Sequence, residues 1–159
     1  MKSLKYIASI AALSGTILGG SAAIGTASAA ALYGANGNGS GSTRGDILLV
    51  DQTDANNATL VGNPTTSGGI TGIDFQNSST LWGSTIFGQG STSTLIQINP
   101  DNGSLIDTVG SIHTNSGDVA GSSLSIGDLA YNTVTGTLFG ITSNAQSITS
   151  GGDIYTIDT

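Results

Sequence analysis

Ile70-Thr71-Gly72-Ile73-Asp74-Phe75, Leu81-Trp82-Gly83, Leu95-Ile96-Gln97-Ile98-Asn99 and Leu105-Ile106 with Thr108-Val109-Gly110 are four short apolar runs, and they recur along the chain. Leu-aromatic-Gly appears as Leu32-Tyr33-Gly34, Leu81-Trp82-Gly83 and Leu138-Phe139-Gly140, spaced by 49 and 57 residues. The first run returns as Ile126-Gly127-Asp128-Leu129-Ala130-Tyr131. The third returns as Ile47-Leu48-Leu49-Val50-Asp51 and Ile154-Tyr155-Thr156-Ile157-Asp158, and the fourth as Thr59-Leu60-Val61-Gly62. Apolar side chains at alternate positions are what a half-buried strand requires, and a recurrence of this length marks one small sheet per unit. Asn77-Ser78-Ser79, Asn99-Pro100-Asp101-Asn102-Gly103 and Asn132-Thr133-Val134-Thr135-Gly136 lie between runs, and such clusters join antiparallel neighbours. The expected unit is a four-stranded meander. Polar inserts at 36–43, 114–123 and 143–151 interrupt it as loops.

The N-terminus reads differently. Lys2 and Lys5 precede an apolar stretch from Tyr6 to Leu18, and Ala27-Ser28-Ala29 supplies the small side chains of a cleavage site. Residues 1–29 are therefore expected to be a signal helix removed on export, which places the mature chain in the periplasm, on the cell surface or outside the cell. Its removal leaves Arg44 as the one cation against ten aspartates, with no glutamate and no cysteine. Such a surface excludes nucleic acid and anionic membranes as partners, because binding them depends on neutralising phosphate. Aspartate favours turns over helices, so the acidity belongs to loops. Without disulfides, stability must come from packing and backbone pairing.

In order, the apolar inner run, Leu-aromatic-Gly, apolar-x-x-apolar-Asp and Thr-Leu-Val-Gly resemble the blades of bacterial secreted β-propellers. They are similar to the domain-of-unknown-function and quinoprotein-like propeller repeats, over residues 31–159. The resemblance implies an all-β fold of four-stranded antiparallel blades. On that frame residues 31–62 supply strands two to four of one blade, 70–110 a complete blade, and 126–158 strands one to three of another. That makes about two and two-thirds blades and ten strands, a partial β-propeller with two open faces. The last strand of the third blade would lie past Asp158, which predicts that the natural polypeptide continues beyond Thr159. Partners for the open faces would be the remaining blades or further copies of the chain, since unpaired edges invite pairing.

Candidate chemistry is sparse. His113 is the only histidine, so a zinc site of ordinary composition cannot be assembled, and no Gly-x-Ser-x-Gly run supports a triad of His113 with Asp118 and Ser122 or Ser123. Asp51, Asn99 and Asp158 recur at one position, as do Asp46 and Asp153, and repeated carboxylates can ligate calcium. Turn capping by a short side chain at a strand end accounts for the same recurrence. Tyr33, Trp82 and Phe139 could form a sugar-stacking platform, but their shared repeat position favours packing between blades. The glycines of 34–39 lead into turn residues and not into a helix, so they do not cradle phosphate. Asn57, Asn77 and Asn102 begin glycosylation sequons of the kind expected by chance in so Asn-, Ser- and Thr-rich a chain. Asp74 and Asp128 stand on the expected inner strands, two columns apart, with no role assigned.

The expected function is that of an exported, non-enzymatic binding or structural module with no catalytic, cofactor or metal residues to name. A fragment of a propeller enzyme, such as a quinoprotein-like dehydrogenase or a polysaccharide-cleaving enzyme, is the second reading. An adhesin-like β-solenoid is the third.

Overall fold

A computed structural model describes residues 31–37, 41–54, 56–86, 92–114, 124–142 and 152–159. The expected signal segment, the insert at 143–151 and nearly all of that at 114–123 lie outside these residues. Ten strands are present among them: β1 (Leu32–Ala35), β2 (Ile47–Val50), β3 (Ala58–Gly62), β4 (Gly69–Asn77), β5 (Thr80–Ile86), β6 (Thr94–Ile98), β7 (Leu105–Ser111), β8 (Ile126–Asn132), β9 (Thr137–Thr142) and β10 (Ile154–Ile157). A single 3-10 turn at Gly41–Thr43 is the only helical element among the described residues.

The strands form three antiparallel sheets, ordered β1-β2-β3, β4-β5-β6-β7 and β8-β9-β10. Consecutive strands pair, and short turns close the β4–β5, β6–β7 and β8–β9 hairpins locally. Asn77 Oδ1 accepts the Ser79 N–H at 2.9 Å, Asn99 Oδ1 accepts that of Asp101 at 2.8 Å, and Asn132 Oδ1 accepts that of Val134 at 2.9 Å. Gly103 (φ +67°) and Gly136 (φ +70°) then take the left-handed position and return their N–H groups to Asn99 O and Asn132 O. The β4 strand is longer than its apolar run. It contains irregular pairings between Ile70 and Gly72 and between Phe75 and Asn77, which bend it against β5.

Alternation gives each sheet two faces, and neighbouring sheets bury them against each other. Ile47 of the first sheet meets Ile70, Leu81, Ile96 and Ile98 of the middle one, with Tyr33, Val61, Ile73 and Phe75 around them. The Tyr33 and Phe75 rings meet edge to face at 5.1 Å. On the other side of the middle sheet, Trp82 and Leu95 pack with Ile112, Leu124, Ile126, Leu129 and Leu138. Two of the three repeated aromatics thus lie between sheets. Phe139, the third, is half-buried on the far face of the third sheet and belongs to neither cluster. Burial has one visible cost, since Trp82 Nε1 has no hydrogen-bond acceptor.

At its outer end the first sheet meets the β6–β7 hairpin through glycines. A Cβ on Gly62 would come within 1.9 Å of Asn102 O, and one on Gly103 within 2.6 Å of Gly62 backbone. Backbone at that distance cannot move aside without parting the sheets. Gly62→Ala should therefore lower unfolding free energy by about 1–3 kcal/mol, as overpacked sites do. Gly34→Ala, whose added Cβ meets only the Val50 Cγ2 at an ordinary 3.6 Å, should leave the denaturation midpoint nearly unchanged.

Candidate functional site

Two places bring chemistry-bearing residues of different sheets together: the seam between β4 and β8, and a cavity farther out between β7 and β10. At the seam β4 and β8 lie side by side, with β5 also against β8. Contacts run Thr71 to Ile126 and Asp74 to Tyr131, so the two strands point the same way. No backbone ladder joins them, and side chains of β4 satisfy the free edge of β8 instead. Thr71 Oγ1 donates to Ile126 O at 2.7 Å and also lies 3.1 Å from Ser84 Oγ. Asp74 Oδ2 accepts the Tyr131 N–H at 2.5 Å, while its Oδ1 accepts the N–H of Phe75 at 2.8 Å. The approach is close enough that a Cβ on Gly72 would meet Asp128 Cα at 2.6 Å. Asp128 repeats only the local part of this pattern, its Oδ1 accepting Leu129 N–H at 2.9 Å.

Ser93 holds the two sheets at one end. It is fully buried just ahead of β6, and its Oγ accepts the Ile126 N–H at 2.8 Å. Its own N–H donates to Leu124 O, its carbonyl accepts Ile112 N–H, and Leu124 N–H donates to Ile112 O. This knot fixes the chain on both sides of the insert at 114–123. Beside it a cavity of about 360 Å³ opens between the outer strands of the middle and third sheets. Leu95, Leu124 and Ile157 supply apolar wall, and Ser111, His113 and Asp158 polar rim. Tyr155 lines the same space, half-buried against the core.

Asp51, Asn99 and Asn102, singled out by the sequence, are occupied with turns. Asp51 Oδ1 accepts the Thr53 hydroxyl at 2.7 Å and the Thr53 N–H at 2.8 Å, with Asn57 Nδ2 at 3.4 Å from Oδ2. These bonds, the hydroxyl's first, hold the Asp51 carboxyl below the usual aspartate range. Asp46 Oδ1 accepts Asn63 Nδ2 at 2.7 Å, tying β2 to the segment after β3. Asn102 Oδ1 accepts Ser104 N–H. Among the described residues no group of three or more metal-ligating side chains is placed to share an ion. The glycine-rich stretch after β1 serves a close crossing: Asn36 O accepts Ile70 N–H at 3.3 Å, and Gly37 O would lie 1.8 Å from a Cβ on Gly69.

His113 is an exposed residue beyond the end of β7, and the cavity brings it and Asp158 to one opening, a pairing their separation in sequence did not suggest. Asp118, Ser122 and Ser123 lie outside the described residues. Thr71 and Ser93 carry the seam and the knot without having drawn notice as residue types. For Thr71 the one available signal was polarity within the otherwise apolar Ile70-Thr71-Gly72-Ile73, whereas Ser93 sits in the polar run Ser91-Thr92-Ser93-Thr94 and nothing in the sequence set it apart. Comparison with family models, curated proteins and solved structures finds no match to this chain.

Replacing Asp74 separates acceptor from charge. Asp74→Ala strands the Tyr131 N–H and should destabilise the protein by about 1–3 kcal/mol, while Asp74→Asn, which keeps an acceptor, should cost less. Chemical denaturation of both variants checks this. For Asp51, a depressed folded pKa means a stabilising contribution present at neutral pH and lost as pH falls through that pKa, below the unfolded aspartate value. Thr53→Ala should raise the Asp51 titration midpoint toward the ordinary aspartate range, read from the side-chain carboxyl carbon shift by NMR.

Proposed function

We propose that this chain is an exported, non-enzymatic repeat module of the β-propeller type, and that it binds a small ligand in the cavity between β7 and β10. Export rests on Lys2, Lys5, the apolar stretch to Leu18 and Ala27-Ser28-Ala29. The propeller reading is supported by sheets stacked in repeat order, with β4 beside β8 at one edge and Leu-aromatic-Gly side chains between faces. The ten strands among the described residues make a partial propeller, and the covers for its outer faces are further units of the same kind.

The observation that carries binding is the cavity itself. Its volume falls in the range of small-molecule sites, and its mixture of apolar wall and convergent polar groups is what such sites use for affinity and orientation. The chain's strong negative charge disfavours anions. Tyr155, His113, Ser111 and Asp158 suit a neutral, hydroxyl-rich molecule, with the ring as a flat apolar contact and the others as hydrogen-bonding partners. An enzyme would need a convergent acid, base or nucleophile, and the residue inventory of one histidine, no cysteine and no glutamate gives little from which to build it.

Calorimetric titration with neutral mono- and oligosaccharides, with and without calcium, tests the reading. A saturable heat is expected for at least one sugar. Val109→Trp, at an exposed position lining the cavity, should weaken that binding at least about 10-fold through lost space, with an unchanged melting temperature. Binding that survives the substitution would move the site elsewhere, and silence across the panel would leave the structural role in place of the binding one.

A further inference from the structure

The repeat places the same residue column in three environments, and the comparison exposes two unsatisfied faces. Leu81 and Leu138 are 0 % exposed where a preceding sheet covers them, whereas Leu32, their counterpart in the first sheet, is 51 % exposed. Leu95 is 2 % exposed beneath the third sheet, whereas Ile154, its counterpart in the third sheet, is 71 % exposed. Pairing across the strands shows what else lies on each face. In the first sheet, Leu32, Val50 and Ala58 stand in one row and Gly34, Leu48 and Leu60 in the next. In the third sheet, Ala130, Phe139 and Thr156 form one row, with Ile141 and Ile154 beside it.

These faces are not two unrelated apolar patches. The first sheet's bare face corresponds to the side by which the middle and third sheets each receive a predecessor. The third sheet's bare face corresponds to the side by which the first and middle sheets each receive a successor. The chain therefore carries both halves of a contact it already makes twice internally. We infer that a second copy of this chain completes it, the β1–β3 face of one copy docking on the β8–β10 face of the other, head to tail.

This rests on the propeller reading. The described residues of two copies bring six sheets, within the four to eight blades over which such rings close, whereas those of three copies would bring nine. A head-to-tail contact whose rotation closes makes a ring, and here the ring closes at two. Electrostatics permits it despite the acidic chain. The first sheet's rows hold no charged residue, and in the third only Asp128 joins them, opposite Ile141 toward the inner edge. Of the other aspartates, Asp51, Asp54 and Asp101 lie between strands, and Asp74 and Asp107 lie on β4 and β7 of the middle sheet.

Sedimentation equilibrium of the purified protein, with circular dichroism on the same samples, decides the matter. The wild type should be a dimer. Leu60→Asp and Ile154→Asp each place a carboxylate at an exposed position of one face, which a monomer tolerates and a dry contact does not. Each variant alone should dimerise at least about 100-fold more weakly, with its β spectrum intact. An equimolar mixture should regain part of the dimer, because one of the two contacts then joins two unmodified faces. Should either carboxylate perturb the spectrum, Leu60→Ser and Ile154→Ser provide the same comparison with a smaller loss of affinity. A wild type that stays monomeric with an intact spectrum overturns the self-docking and leaves the stacked sheets standing, their covers then coming from another polypeptide. Dimers indifferent to one of the two substitutions overturn the head-to-tail geometry. A wild type with no cooperative β spectrum would instead strike the propeller reading beneath it.

Discussion

The burial of one sheet's apolar face against the next is the interaction on which everything else in this protein depends. Sheets of three or four short strands have little stability alone, since one face of each stays wet. Stacking removes Trp82, Leu95, Leu129 and Leu138 from water on one side of the middle sheet and Ile47, Ile70, Ile96 and Ile98 on the other. At roughly 1.5–3 kcal/mol for each large side chain fully buried, these two clusters outweigh any single hydrogen bond in the molecule. The aromatic of Leu-aromatic-Gly does most where a neighbour exists, as Trp82 shows. Phe139 shows the same column with no described sheet above it.

Stacking also creates a polar problem at the inner edge. Where β4 and β8 run side by side without a ladder, the N–H and C=O groups of β8 face a neighbour that offers them no backbone partner. Asp74 and Thr71 supply the acceptor and the donor, and Gly72 permits the approach. The acidic character of the chain acquires a physical use here. Short carboxylates and amides at strand ends and edges accept N–H groups that the small sheets leave over, as Asp51, Asn77, Asn99 and Asn132 do in turns. Aspartate suits this work better than glutamate, whose longer arm would have to be ordered to reach the same donors.

The cavity follows from the same arrangement. Sheets held together at β4 and β8 and at Ser93 leave room between β7 and β10, where outer strands are farther from the seam. Polar groups from a strand end, His113, and from the end of another sheet, Asp158, then converge on one opening. The proposed ligand site requires nothing beyond the stacking, and loops and strand ends at such junctions are where repeat folds usually carry function.

Strand positions, hairpin order and the grouping of ten strands into sheets of three, four and three were legible in the chain itself. Alternating apolar side chains set the faces of Ile70 to Phe75 and Leu95 to Ile98, and Asn- and Gly-bearing turns close the β4–β5, β6–β7 and β8–β9 hairpins, all within a few residues. The turn-capping role of Asp51 and Asn99 was open to the same local logic. Thr71, Ser93 and the Gly62–Gly103 crossing were not, nor was the placing of His113 and Asp158 on one cavity. Each depends on the distance and angle between sheets, which no period within a single strand encodes. Sequence alone determined what each sheet is, through local backbone geometry and side-chain alternation. Only the tertiary structure decided which residues reach across from one sheet to the next, because that reach is set by how far two packed faces hold their backbones apart.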